Sequence, residues 1–381
     1  MPVLESRASE AAVPPEQEPE RAGAAAPRVW LLLDDRPGHT TQVVGLAEAL
    51  GWPYETKPLR FTALNRLSNR LLGASRLALD AGASAELSPP WPDLVIAMGR
   101  RSAPIARWVK HKSGGHSKLV QLGRKAANVA ADFALAVTCR HFQLPPHPRR
   151  LDLLLPPTQV TASRLQAAAE RWPDLFAGQA RPRVALIVGG TTAHHRLTPE
   201  TAERLAAETA GFAERLGGSL TCVTSRRSGA AVEAALSRGA PQAKLHCWRR
   251  DQAENPYLGY LAQADVLVVT GESESMLAEA ADAAKPLYIY PIPAKPEGWR
   301  SRLAAAVLAW SRRGGLLGGL SEGLIQHGMV VPPRDLDLMH RGMVEAGIAR
   351  LFGDGTAQPA VPPAAHHDVL IARVRQLLEP A

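Results

Sequence analysis

The stretch RVWLLLDDRPGHTTQVVGLAEAL, Arg28–Leu50, decides the fold. Val29–Leu33 is an unbroken apolar run, the pattern of a strand covered on both faces rather than one half-exposed to water. DDRPGH then turns the chain through Pro37 and Gly38, and TQVVGLAEAL continues with the spacing of a helix. A strand that passes through a short polar turn into a helix is the opening of a βα unit, and ligands of parallel sheets bind at the carboxyl ends of such strands. His39 sits in that turn, as a catalytic group at the lip of a sheet or as a loop residue capping the following helix. Asp34 and Asp35 would orient its imidazole or cap the turn.

The pattern repeats outward from this unit. Further apolar runs at 94–99 (LVIAMG), 118–123 (KLVQLG) and 133–138 (FALAVT) complete a first half. A Pro-rich break at about 144–160 closes it, and the alternation restarts from Arg183 with VALIVGG, SLTCVTS, AKLHCW, DVLVVTG and PLYIYPI. The expected fold is α/β: two doubly wound Rossmann-like domains facing across a cleft. The expected divisions are a disordered leader at 1–27, a first α/β domain at 28–155, a linker at 156–182, a second α/β domain at 183–330 and C-terminal helices at 331–381.

Composition narrows the function classes. The 381 residues carry 44 Lys plus Arg against 36 Asp plus Glu, a formal charge of +8 that favours anionic partners. Nucleic acid is not expected among them, because no nucleic-acid motif appears and aromatics are only 5%. No apolar run approaches the ~20 residues that span a bilayer. Cys139, Cys222 and Cys247 have no CxxC spacing, so the expected location is a reducing cytoplasm without a disulfide framework. Arg60–Asp80 has apolar residues at helical spacing with Arg60, Arg66, Arg70 and Arg76 among them. It reads as a helix lying on anionic lipid, or as a core-facing helix with a solvated basic face.

The loops that follow strands carry the candidate chemistry. In VGGTTAHH, Gly190 and Thr191 would offer backbone amides and a hydroxyl to a diphosphate, or form a tight βα turn with a capping threonine. In TSRRSG, Ser225 and Arg226, with Arg227 beside them, suit the same phosphates. In TGESESMLAEAADAAKP, Ser273 and Ser275 cap a helix or bond phosphate oxygens, while Glu279 either accepts the hydroxyls of a ribose or is a solvated surface residue. Glu272 and Glu274 oppose a phosphate site unless they point away from it. No P-loop, GxGxxG or strand-end DxD pair occurs, so metal is not expected, and His194 and His195 lack a carboxylate at ligand spacing.

These loops resemble a GT-B glycosyltransferase, similar in layout to the enzyme that adds N-acetylglucosamine to the lipid-linked peptidoglycan precursor. RPGHTTQVVGLAEAL resembles its glycine-rich first loop with a His before a long helix, PDLVIAMGRRSAP its second segment, and GGTT and SMLAEAADAAKP its donor half. More specifically, GHTTQVVGLAEALG, PDLVIAMGRRSAPIARW, LVQLGRK, TSRRSG and NPYLGYLAQADVLVVTGESESMLAEAADAAKPLYIYPI resemble the "elongated mitochondria" family of mitochondrial fission proteins over most of 28–350. Where that family usually has Asp-Ser this chain has Glu272 and Ser273, and Lys125 stands where Pro is common.

The resemblance implies a metal-independent transfer of sugar from a nucleotide-sugar donor, a substrate rather than a resident cofactor. The second domain would hold the donor through Gly190, Thr191, Ser225, Arg226, Ser273, Ser275 and Glu279. His39 would be the base that deprotonates the acceptor, which is lipid-linked or on an anionic membrane surface, and the protein would then be peripheral on the inner membrane. Two other readings stand beside it: a non-catalytic GT-B scaffold that binds membranes or proteins, and a nucleotide-sugar epimerase or hydrolase.

Overall fold

A computed structural model describes residues 26–123, 130–252, 254–354 and 364–379. The first sheet is built from β1 (Val29–Leu33), β2 (Tyr54–Pro58), β3 (Leu94–Met98), β4 (Lys118–Leu122), β5 (Leu135–Cys139) and β6 (Arg150–Leu153). All are parallel in the order β2-β1-β3-β4-β5-β6. The second contains β7 (Arg183–Val188), β8 (Ser219–Thr224), β9 (Lys244–His246), β10 (Val266–Thr270), β11 (Leu287–Tyr290) and β12 (Arg350–Leu351). They too are parallel, in the order β12-β11-β10-β7-β8-β9. Strand order reverses between β1 and β3 and between β7 and β10, and such switch points open the crevice in which parallel sheets bind ligands.

Helices α1 (Pro37–Leu50), α2 (Asn69–Leu72) and α3 (Gly99–Lys112) belong to the first half, and α4 (Ala162–Arg171) to the connection. The second half contributes α5 (Pro199–Arg215), α6 (Ala230–Gly239), α7 (Tyr257–Gln263), α8 (Glu274–Asp282), α9 (Trp299–Ser311), α10 (Gly315–Gln326) and α11 (Leu336–Glu345). The last helix is α12 (Ala364–Gln376). Local chemistry sets their ends: Pro37 opens α1 with its fixed φ, and Gly51, at φ +71°, closes it by donating its N–H to the Glu48 carbonyl. Thr198 and Asp335 accept backbone N–H groups at the starts of α5 and α11.

Each sheet is covered on both faces, which is why its central strands are apolar without alternation. Val29, Leu31, Leu94 and Ile96 pack with Leu46 of α1, whereas Trp30, Leu32, Val95 and Ala97 pack with Ile105 and Val109 of α3. The two faces of the second sheet separate likewise between α5 with α6 and α8 with α11. The chain then returns to its beginning. Leu370 and Val374 of α12 are buried in the first domain's core, and Arg375 donates to the Leu50 carbonyl at 3.2 Å. The result is two doubly wound, Rossmann-like domains around a cleft.

One expected element is corrected. Arg60–Asp80 is not a continuous helix but a Phe61–Leu79 bridge, a short 3-10 turn at Ala63–Arg66 and the single turn α2. Ser68 caps α2 and Gly73, at φ +56°, ends it. Arg100 from α3 donates to the Leu67 carbonyl at 2.7 Å and to the Asn65 carbonyl, stabilising an irregular path that apolar spacing alone does not reveal. Leu64, Leu67 and Leu71 point outward, so the core-facing reading does not apply.

The docking of α12 is testable. Leu370→Ala should cost about 2–5 kcal/mol in urea unfolding, the usual range for a buried leucine. A loss near zero would mean that α12 is not packed on the first domain.

Candidate functional site

β1 ends at Leu33, and the next residue, Asp34, is buried beneath the turn. Its Oδ1 accepts the Arg36 N–H at 3.1 Å and its Oδ2 accepts the His39 ring at Nδ1, 2.8 Å away. One carboxylate therefore both caps the turn and orients the imidazole. Asp35 faces outward instead, to Arg101 at 2.7 Å. Because a carboxylate only accepts, Nδ1 carries the proton of a neutral ring and Nε2 keeps a basic lone pair. Gly99, at the carboxyl end of β3 across the switch point, lies against the ring: a Cβ there would stand 2.7 Å from His39 Cε1. A glycine is needed for this approach as well as for the φ of +78°.

His39 lines a cavity of about 180 Å³ with Gln42 from the first domain and Glu274 and Ser275 from the second. A wider cavity of about 340 Å³ adjoins it, lined by Ser225, Arg226, Arg227, Ser273, Ser275 and Glu279. Gly38 and Ser275 belong to the walls of both, so the two form one cleft. The amino terminus of α8 adds its positive dipole end to the two arginines. Arg227 donates to Ser273 Oγ at 3.0 Å, while Arg226 forms no ion pair among the described residues.

Glu279 is half-buried at one side of this cleft. Desolvation raises its pKa from 4.5 to about 7, against the neighbouring Tyr257 hydroxyl, which lowers it, and with Asp282, which adds to the rise. The Tyr257 hydroxyl is itself buried without a well-aligned partner. A ligand with two hydroxyls to donate would satisfy the carboxylate that burial leaves short of hydrogen bonds.

Two of the expected donor residues are placed otherwise. Gly190 is buried, and its N–H donates to Glu272 Oε1 at 2.7 Å. A Cβ on Gly190 would meet the Arg227 carbonyl, and one on Gly189 would meet Glu272 itself, so these glycines let the backbone wrap around a buried carboxylate. Glu272 thus points inward, away from the cleft. Thr191 lines a separate cavity with Arg196, Thr198 and Lys295, and its hydroxyl accepts the Leu197 N–H at 3.2 Å. Of the LVQLGRK segment, Arg124 and Lys125 lie outside the described residues.

Sequence reasoning met Glu274 only as an obstacle to phosphate; its Oε2 accepts His141 Nε2 at 2.8 Å and Arg334 at 3.1 Å. Partners 133 and 60 residues away leave no local signal. It passed over Trp248, Asn255 and Tyr257, which line the wider cavity; the NPY segment at 255–257 was legible as part of the resemblance but without a role.

The family model described as mitochondrial fission ELM1 matches residues 37–313, more than half of the chain. The mitochondrial fission protein ELM1 of Arabidopsis thaliana is 26% identical over 221 residues, 52% of this chain and 51% of that protein, so the chain spans about half the length of this relative. Protein RP120 of Rickettsia prowazekii (strain Madrid E) is 24% identical over 300 residues, 69% of this chain and 82% of its own. Among solved structures, the UDP-GlcNAc 2-epimerase of Methanocaldococcus jannaschii aligns over 93% of both chains at 10% identity and a TM-score of 0.45. MurG of Acinetobacter baumannii aligns over 92% of both at 13% identity and 0.39. At such scores these two likenesses bear on neither substrate nor mechanism.

The Glu279 environment makes a pH prediction. The folded chain retains a proton that the unfolded chain releases between pH 4.5 and about 7, so this residue's contribution to stability falls as pH rises through that window. Glu279→Gln should match the parent at pH ~5 and exceed it by about 1–3 kcal/mol at pH ~8 in denaturant unfolding. Equal stability of the two at both pH values would show that the carboxyl is not desolvated.

Proposed function

The chain belongs to the mitochondrial fission ELM1 family, and we propose that it transfers a sugar from a nucleotide-sugar donor held by the second domain to a membrane-associated hydroxyl acceptor beside His39. One observation carries this reading: a carboxylate-oriented histidine and an arginine- and hydroxyl-rich cavity meet at a shared wall formed by Gly38 and Ser275. The orientation of His39 by Asp34, with Gly99 leaving room for the ring, supports a catalytic role over a scaffold that only binds partners.

In this reading Glu279 accepts the ribose hydroxyls. Ser225, Arg226, Ser273, Ser275 and the start of α8 face the diphosphate, with Gly190 acting from beneath through Glu272 and Thr191 outside the contact. His39 Nε2 removes the acceptor hydroxyl proton as that oxygen bonds to the anomeric carbon. The bond from that carbon to the diphosphate oxygen breaks, and its electron pair leaves with the nucleoside diphosphate, whose charge the arginine and the helix dipole offset. The donor is consumed as substrate, and the reading invokes no resident cofactor or metal.

His39→Ala and His39→Gln should each slow transfer by about 10²–10⁴ while leaving nucleoside diphosphate affinity and melting temperature near parental. Parental rates in both would place the base elsewhere, and a glycosyl-acceptor product separates transfer from epimerisation or hydrolysis.

Donor recognition has its own test. Glu279→Ala should weaken nucleoside diphosphate binding by about 1–3 kcal/mol in calorimetry. Binding to the parent should release protons near pH 7, because ribose hydroxyls favour the ionised carboxylate. Unchanged affinity would remove Glu279 from the site.

A further inference from the structure

The hairpin of α9 and α10 turns its large apolar side chains to solvent. On α9, Trp299, Leu303 and Trp310 are exposed and lie at i, i+4 and i+11, one side of the helix. On α10, Leu316, Leu317 and Leu320 are exposed, Leu316 to 91%. Leu308 of α9 and Gly318 and Ile325 of α10 are the residues these helices bury, and the two pack chiefly against each other. A helix that served only a globular core would face its leucines inward.

The charges around this surface are of one predominant sign. Residues 297–331 hold four arginines, Arg300, Arg302, Arg312 and Arg313, against Glu297 and Glu322. The Arg300 guanidinium lies 5.3 Å from the centroid of Trp299, and that of Arg313 lies 5.0 Å from Trp310. A second patch approaches from the first domain, where the irregular segment after β2 exposes Leu64, Leu67 and Leu71 beside Arg66 and Arg70. Arg70 donates to the His327 carbonyl at 2.9 Å, just beyond the end of α10, and so joins the two patches. Both follow the carboxyl ends of their strands, β2 and β11, the edge of the sheets that carries the cleft loops.

We infer that this joined surface rests on an anionic lipid bilayer. No helix among the described residues is long and apolar enough to cross a membrane, so the contact is one of lying on the surface. Leucines reach the acyl boundary, tryptophans sit at headgroup depth, and arginines meet lipid phosphates. Charge complementarity selects this occupant over a neutral apolar partner, since an uncharged surface would leave the arginines without counter-charge. The inference does not depend on sugar transfer, because a catalytically silent chain would dock in the same way.

Sedimentation of the full chain with phosphatidylcholine vesicles, with and without phosphatidylglycerol, tests it. Binding is expected only with the anionic lipid and should weaken as salt rises above ~0.1 M. The double substitution Leu316→Asp and Leu320→Asp should reduce it at least about tenfold, and Arg300→Gln with Arg302→Gln should do likewise while flattening its salt dependence. All four side chains lie on the hairpin surface, and unchanged melting temperatures separate lost docking from lost folding. No binding to the anionic vesicles, or binding that the leucine variant leaves intact, would overturn the inference. A lipid-free dimer abolished by the same leucine variant, seen in sedimentation velocity, would also overturn it by assigning the face to a second copy.

Discussion

The relation between the two sheets rests on the carboxylate of Glu274. It opens α8 on the second domain, yet it accepts from His141, which follows β5 on the first, as well as from Arg334 before α11. His141 is fully buried, and its carbonyl accepts the Asp335 N–H at 2.9 Å, while Gln143 donates to the Pro333 carbonyl at 3.0 Å. Without Glu274 the fully buried His141 Nε2 and the mostly buried Arg334 would lose their shared acceptor, so this carboxylate ties the domains together at this point. A second tie passes through the connecting segment: Thr158 bonds Asp282 of α8, and its carbonyl sits where a Cβ on Gly45 of α1 would be. Ser275, one residue beyond Glu274, is thereby held on the wall that both cavities share.

The two switch points use a common device. Each places a buried carboxylate just beyond a strand end, Asp34 after β1 and Glu272 after β10, and each carboxylate engages nearby backbone amides. On the first sheet the remaining oxygen orients a histidine. On the second, Glu272 draws in the Gly190 amide and stands 3.9 Å from Arg227. The consequence for recognition is physical: with the Gly189 and Gly190 amides bonded to Thr270 and Glu272, the cleft presents arginine, serine and glutamate side chains rather than a cradle of backbone N–H groups.

Much of the fold was legible because buried parallel strands must be apolar on both faces. Runs such as VWLLL, LVIAM and VLVVT have no other common explanation in a chain of this composition. The elements that escaped notice lie at the sheet edges. β2 (YETKP) is mostly exposed and polar, β6 sits inside the Pro-rich break, and β12 has two residues. Edge strands carry half the burial constraint of central ones, so their composition announces less. The basic segment at 60–80 failed for a related reason. Helical spacing of its leucines implied a face to bury, whereas the tertiary structure leaves that face outside and supports the backbone with Arg100.

By itself the sequence determined which residues lie at strand ends, because the turn from apolar run to polar loop is a local event. That was enough to single out His39, Ser225, Arg226, Ser273, Ser275 and Glu279. Which of these meet was decided by the tertiary structure alone. His39 and Ser275 are 236 positions apart, and their shared cavity exists through the contacts of Glu274, His141 and Arg334, no two of which are neighbours in the chain. The same holds for the inward turn of Gly190 and the sideways position of Thr191. Glycine before a helix is compatible with phosphate and with a buried carboxylate alike, and only the neighbour supplied by β10 distinguishes them.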